Sequence, residues 1–129
     1  MKRPTLAVLA LLLLAASLLS LLGACSGAPA CEGGSCLCTT QSCDVSCLSG
    51  GCEEECRSGD CAFSCAGGGC YQICRAGTTC NVSCAGAGCH QQCDPSSTCT
   101  FSCAGGNCDQ LCTGGNCTKT CAGGNCSLR

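Results

Sequence analysis

Cysteine is the residue through which this sequence could do chemistry. The chain holds 23 cysteines in 129 residues, and 22 of them lie between Cys31 and Cys126. Thiols at that density have two fates. Oxidised in pairs they cross-link the chain, and reduced they ligate soft metal ions such as Zn²⁺ or Cu⁺. From Cys43 onward the cysteines alternate between two gaps. One gap is always three residues, reading DVS, EEE, AFS, YQI, NVS, HQQ, TFS, DQL and TKT. The other is four residues, twice five, and rich in glycine: LSGG, RSGD, AGGG, RAGTT, AGAG, DPSST, AGGN, TGGN and AGGN. Before Cys43 the spacing is less regular, with EGGS, the single Leu37, and TTQS.

Other reactive residues are few. His90 is the one histidine, in Cys89-His90-Gln91-Gln92-Cys93. A Cys–His pair would need a free thiolate and an orienting group. The even spacing leaves no cysteine over, so His90 reads as a surface residue. Glu53, Glu54 and Glu55 form an acidic run, expected to be a solvated edge rather than a cation site. The glycine pairs recur as turns and do not open a helix, so they are not phosphate loops. No catalytic residue and no cofactor is expected. Asn81-Val82-Ser83 and Asn125-Cys126-Ser127 are read as chance matches to a glycosylation sequon. After Cys25, Arg57, Arg75, Lys119 and Arg129 stand against eight acids. With no basic patch, nucleic acid is not expected as a partner.

The elements that position the cysteines follow from what lies between them. Cysteines four apart fit one face of a helix or one face of a strand. Val, Phe, Thr and Ser in the short gaps favour strand, and paired glycines every nine or ten residues would break a helix. Each C-x-x-x-C therefore reads as a five-residue strand, and each glycine-rich gap as a tight turn. A longer period lies on top: DVSC, AFSC, NVSC, TFSC and TKTC recur every 18 or 19 residues, separated by EEE, YQI, HQQ and DQL. The central residue of each strand shares the cysteines' face. In one set it is Val45, Phe63, Val82, Phe101 and Lys119, and in the other Glu54, Gln72, Gln91 and Gln110. A β-solenoid with coils of about 18 residues explains two unlike strand sets directly. An antiparallel meander is the alternative.

Geometry also restricts how the cysteines pair. The two ends of an extended five-residue segment lie about 13 Å apart, and a disulfide needs Cα atoms within about 7 Å. Cysteines flanking a turn come close enough. Taking those pairs alone joins Cys31 with Cys36, Cys38 with Cys43, Cys47 with Cys52, Cys56 with Cys61, Cys65 with Cys70 and Cys74 with Cys80. It then joins Cys84 with Cys89, Cys93 with Cys99, Cys103 with Cys108, Cys112 with Cys117 and Cys121 with Cys126. Every cysteine after Cys25 is used once. Each such loop contributes about 2 kcal/mol on the chain-entropy account. That matters because the large apolar side chains here are too sparse to hold the chain by burial alone.

The start of the chain has a different character. Met1-Lys2-Arg3 is positive, and Leu6 to Leu22 is apolar apart from Ser17 and Ser20. These are marks of a secretory signal, expected to be an apolar helix. Leu21-Leu22-Gly23-Ala24-Cys25 resembles the lipobox of bacterial lipoproteins. The resemblance implies a signal peptide over 1–24, removal of that segment and fatty acylation (a palmitate-type anchor) of Cys25. Residues 25–30 would be a flexible tether, and 31–129 a cysteine-rich repeat domain. Ser26, in place of an aspartate, implies an outer-membrane or cell-surface destination rather than the inner membrane. Stable anchoring takes at least two acyl chains, and an exported domain meets a compartment where disulfides persist.

The repeat plan resembles small disulfide-braced solenoids such as the beetle antifreeze proteins, without their regular Thr-x-Thr ladder. Metallothioneins are the other cysteine-rich comparison. They favour C-x-C and lysine, whereas C-x-C occurs here once, at Cys36 and Cys38. The expectation is thus an all-β, disulfide-rich repeat domain anchored to a membrane through lipid on Cys25, with a structural or adhesive role toward an unnamed protein or surface, and not an enzyme. Thiolate metal binding is the alternative. An inhibitor- or toxin-like binding module is a further one, with the five-residue turns Arg75–Thr79 and Asp94–Thr98 as its candidate loops.

Overall fold

The computed structural model describes Cys31 and residues 34–129. The expected signal helix, Cys25 and the expected tether lie outside the described residues. The chain forms eleven strands: β1 (Ser35–Cys38), β2 (Ser42–Cys47), β3 (Glu53–Cys56), β4 (Asp60–Cys65), β5 (Tyr71–Cys74), β6 (Thr79–Cys84), β7 (His90–Cys93), β8 (Thr98–Cys103), β9 (Asp109–Cys112), β10 (Asn116–Cys121) and β11 (Ser127–Leu128). No helix occurs among the described residues. Odd-numbered strands make a six-stranded sheet in the order β1-β3-β5-β7-β9-β11, and even-numbered strands a five-stranded one. Every pairing is parallel. Successive strands belong to opposite sheets, so the chain winds as a β-solenoid and advances one strand spacing per coil. A meander would require antiparallel neighbours.

The register stacks like on like. Val45, Phe63, Val82, Phe101 and Lys119 are in line on the even sheet. Glu54, Gln72, Gln91 and Gln110 are in line on the odd sheet. Both rows point inward. The apolar row is buried from Val45 to Phe101, and the polar row is as deeply buried, at 0% exposure throughout. The remainder of the core is cysteine.

The two strand sets differ in length. Even strands run six residues and start one residue before the first cysteine, whereas β3, β5, β7 and β9 run four and start one residue after it. The turns cause this. Gly51, Gly69, Gly88 and Asn107 precede the cysteines at the head of the odd strands, all with positive φ. A left-handed residue directly before the cysteine delays the extended run. Before the even strands the left-handed residue sits further back, as at Gly59 and Gly77. Ser42, Asp60, Thr79, Thr98 and Asn116 are thereby free to pair.

One glycine position is required for a different reason. Turns stack at the same spacing as strands, so any side chain directed along the solenoid axis meets the next backbone. A Cβ on Gly86 would lie 2.3 Å from the Gly68 amide nitrogen, and one on Gly105 would lie 2.3 Å from the Gly86 carbonyl carbon. Gly86→Ala is therefore expected to destabilise by about 1–3 kcal/mol or more, since overpacked backbone has nowhere to move. Gly88, with φ +74° and nothing near its missing Cβ, should accept asparagine, which occupies the matching place at Asn107. Thermal unfolding of both variants checks this. A Gly86→Ala protein as stable as Gly88→Asn would contradict the stacked-turn account.

Candidate functional site

The cysteines make two columns. At one corner of the coil stand Cys31–Cys36, Cys47–Cys52, Cys65–Cys70, Cys84–Cys89, Cys103–Cys108 and Cys121–Cys126. At the other stand Cys38–Cys43, Cys56–Cys61, Cys74–Cys80, Cys93–Cys99 and Cys112–Cys117. Cα separations fall between 5.9 and 6.4 Å. Each bridge ties the end of one strand to the start of the next across a single turn, and the described residues hold no free thiol. Adjacent bridges are stacked so closely that sulfurs gather in threes, such as Cys47, Cys65 and Cys70 within 4.8 Å. Those triplets could ligate a soft metal only if the bridges were reduced. In the bridged form their sulfurs are covalently occupied.

The two five-residue turns each bury one residue behind exposed ones. The extra residue in each supplies an inward hydroxyl. Thr78 and Ser97 are both 2% exposed. Thr78 Oγ1 donates to the Arg75 carbonyl at 2.7 Å, and Ser97 Oγ donates to the Asp94 carbonyl. The backbone amides of Thr78 and Ser97 close on the same carbonyls. The added residue braces the corner from within.

Two outward faces remain. The even sheet presents a flat polar comb whose rows include Thr79, Thr98 and Asn116, and Ser46, Ser64, Ser83, Ser102 and Thr120. Ala62 makes a shallow, open notch between Asp44 and Asn81. The odd sheet presents Glu53, Tyr71, His90 and Asp109 in one row. The Tyr71 and His90 ring centres lie 5.6 Å apart, and His90 Nδ1 is 3.3 Å from Asp109 Oδ2. Arg129 also reaches Asp109 and is the main reason that its carboxyl is held below the usual range. His90 is thus a surface residue facing an aromatic ring and a carboxylate, with no thiol beside it.

The three glutamates of the acidic run have three environments, which corrects the expectation of a solvated edge. Glu53 is exposed, Glu54 is fully buried, and Glu55 is nearly so. Strand alternation sends the central residue inward. Glu55 points outward but is covered by arginines: Arg57 Nε lies 3.1 Å and Arg75 Nε 2.6 Å from its Oε1. Arg57 first, and then Arg75, hold its carboxyl below the usual value. Arg75 continues to Asp94 at 3.4 Å. This chain of charges ties successive coils along one corner, in place of a cation site.

Inside the odd sheet the amides form a ladder. Gln72 Nε2 donates to Glu54 Oε2 at 2.7 Å, Gln91 Nε2 to Gln72 Oε1 at 3.0 Å, and Gln110 Nε2 to Gln91 Oε1 at 2.8 Å. Each nitrogen's second proton goes to a backbone carbonyl of the opposite sheet: Ser83 for Gln72, Ser102 for Gln91 and Thr120 for Gln110. Sequence reasoning stacked these residues but did not show the second set of bonds, which depends on how close the two sheets lie.

Geometry and sequence together define a disulfide-braced parallel β-solenoid of structural character. No family model matches the chain, and no curated protein or solved structure is found similar to it.

Two measurements test this assembly. Non-reducing peptide mapping is expected to find each link within one turn-spanning peptide, with a denatured mass about 22 Da below the fully reduced value. Mostly long-range links, or a reduced chain carrying metal, would sink the pairing. Separately, Glu55→Gln is expected to lower stability by about 1 kcal/mol near neutral pH, as befits half-exposed ion pairs. Because its folded pKa is depressed, the contribution of Glu55 is present above the free value of about 4.3 and lost as pH falls through the folded one. Denaturant unfolding of both proteins should therefore converge in acid.

Proposed function

We propose that this protein is an exported lipoprotein that displays a rigid solenoid at the cell envelope, held to the outer membrane or cell surface by acylated Cys25. Its role is structural or adhesive and not catalytic. The observation that carries this reading is the clamping of every described turn by a bridge. Such a fold suits an oxidising compartment, and its cross-links limit the local opening through which proteases cut. The apolar run ending in Leu21-Leu22-Gly23-Ala24-Cys25 supplies the route to that compartment and the anchor. The two flat faces are the surfaces that such a display would offer to a protein or polymer partner.

The inhibitor-like reading would rest on Arg75, Ala76 and Gly77 and on Pro95 and Ser96, exposed residues of the two longer turns, with Thr78 and Ser97 buried behind them. Metal binding would need the bridges open, which an oxidising compartment opposes.

Expression of the full chain in a Gram-negative host fed a labelled fatty acid tests the proposal. The wild type is expected to carry the label and to sediment with the envelope. Cys25→Ser should lose the label and the membrane association together. A wild type that is never labelled, or a variant labelled equally, would refute the anchor.

A further inference from the structure

The polar ladder ends at Glu54, and its last member differs from the others by one atom. Each glutamine uses its amide nitrogen twice, once toward the preceding side chain in the ladder and once toward a carbonyl of the opposite sheet. Glu54 has an oxygen there. Its Oε2 accepts from Gln72, whereas Oε1 is buried with no hydrogen-bond partner among the described residues. Ser83, Ser102 and Thr120, whose carbonyls serve the glutamines, lie in register with Ser64 of β4. At Glu54 the ladder therefore lacks a donor, and a protonated Oε1 would supply one.

We propose that Glu54 is held as the neutral acid and closes the N-terminal end of the ladder as a proton-dependent latch on the first coils. Among the described residues, the groups facing it are uncharged. They are Cys36 of β1 and Gln72 of β5 in register on its own sheet, and Val45 of β2 and Phe63 of β4 in the opposite row. Glu53 and Glu55 flank it on β3 and point outward, and Glu55 is already matched by Arg57 and Arg75. No cation reaches Glu54 among the described residues. An ionised carboxylate there would be buried without a counter-charge. Burial accordingly pushes its pKa up, against the lowering effect of the Gln72 bond.

The sign of the pH response follows. Above the free glutamate value of about 4.3 the unfolded chain releases this proton while the folded chain keeps it. The folded state then binds more protons, so stability falls as pH rises, until the folded group itself ionises. The coils nearest Glu54 should loosen first.

The test uses the oxidised full chain and its Glu54→Gln variant. Wild type is expected to lose stability from mildly acidic pH upward, with a steeper slope than the variant across the same range. Amide exchange should quicken with pH in β1 to β4 more than in β8 to β10, and the variant should lack that difference. Equal pH slopes for the two proteins would overturn the latch. Infrared spectra of the wild type alone provide a check that needs no variant. A protonated-carboxyl band persisting above the pH at which free glutamate ionises supports the proposal, and its absence refutes it. Neither readout depends on how the chain is anchored.

Discussion

Parallel stacking of coils at one strand spacing is the constraint on which everything else here depends. It leaves room at each coil position for one residue type and its repeat. A thin coil cannot enclose a large apolar core. Its interior is a single row of Val and Phe on one sheet, a single row of Glu and Gln on the other, and cysteine at both corners. Burial of four apolar side chains would not hold so many ordered residues. The bridges make up the difference by shortening the unfolded chain's reach at every turn. The same spacing forces glycine where a turn lies directly over the next.

The buried amides fill the interior at little cost between the ends of the row, because each one is both donor and acceptor. Glutamine side chains one coil apart hand hydrogen bonds along the axis in one direction, and their remaining protons satisfy the facing sheet. A row of hydroxyls would be too short to span that distance. A polar row also fixes register, since a slip would leave several buried amides unpaired. A directed ladder must have two unlike ends. At one end stands the carboxyl of Glu54. At the other, Gln110 Oε1 has no partner among the described residues, and Gln110 lies in register with Leu128, whose side chain cannot donate.

Near that end the charged side chains are tied to the backbone and to one another. Lys119 takes the inward place held by Phe101 one coil before, and its ammonium donates to the Arg129 carbonyl. A lysine on an edge strand discourages another chain from continuing the sheet. Arg129 in turn reaches back to Asp109.

Strand positions, the parity of the inward rows and the two-sheet coil were all legible in the sequence. They depend on local chemistry: period two along a strand, glycine at turns, and a repeat of 18 or 19 residues that favours a coil over an antiparallel meander, the choice between them being made by the parallel pairing. The geometric limit on bridge length also acts within a few residues, so turn-flanking pairs could be named from spacing. Three matters needed the tertiary structure. EEE looks like a solvated patch until neighbouring strands place Glu54 inside and Arg75, from the next coil, over Glu55. The two long turns look uniformly exposed until Thr78 and Ser97 are seen to fold inward. The unequal strand lengths follow from which turn residue is left-handed. For the glutamates the deciding contact lies one coil away; for the turns and the strand ends it is a backbone conformation and an i to i−3 bond within the turn, which residue types alone do not select.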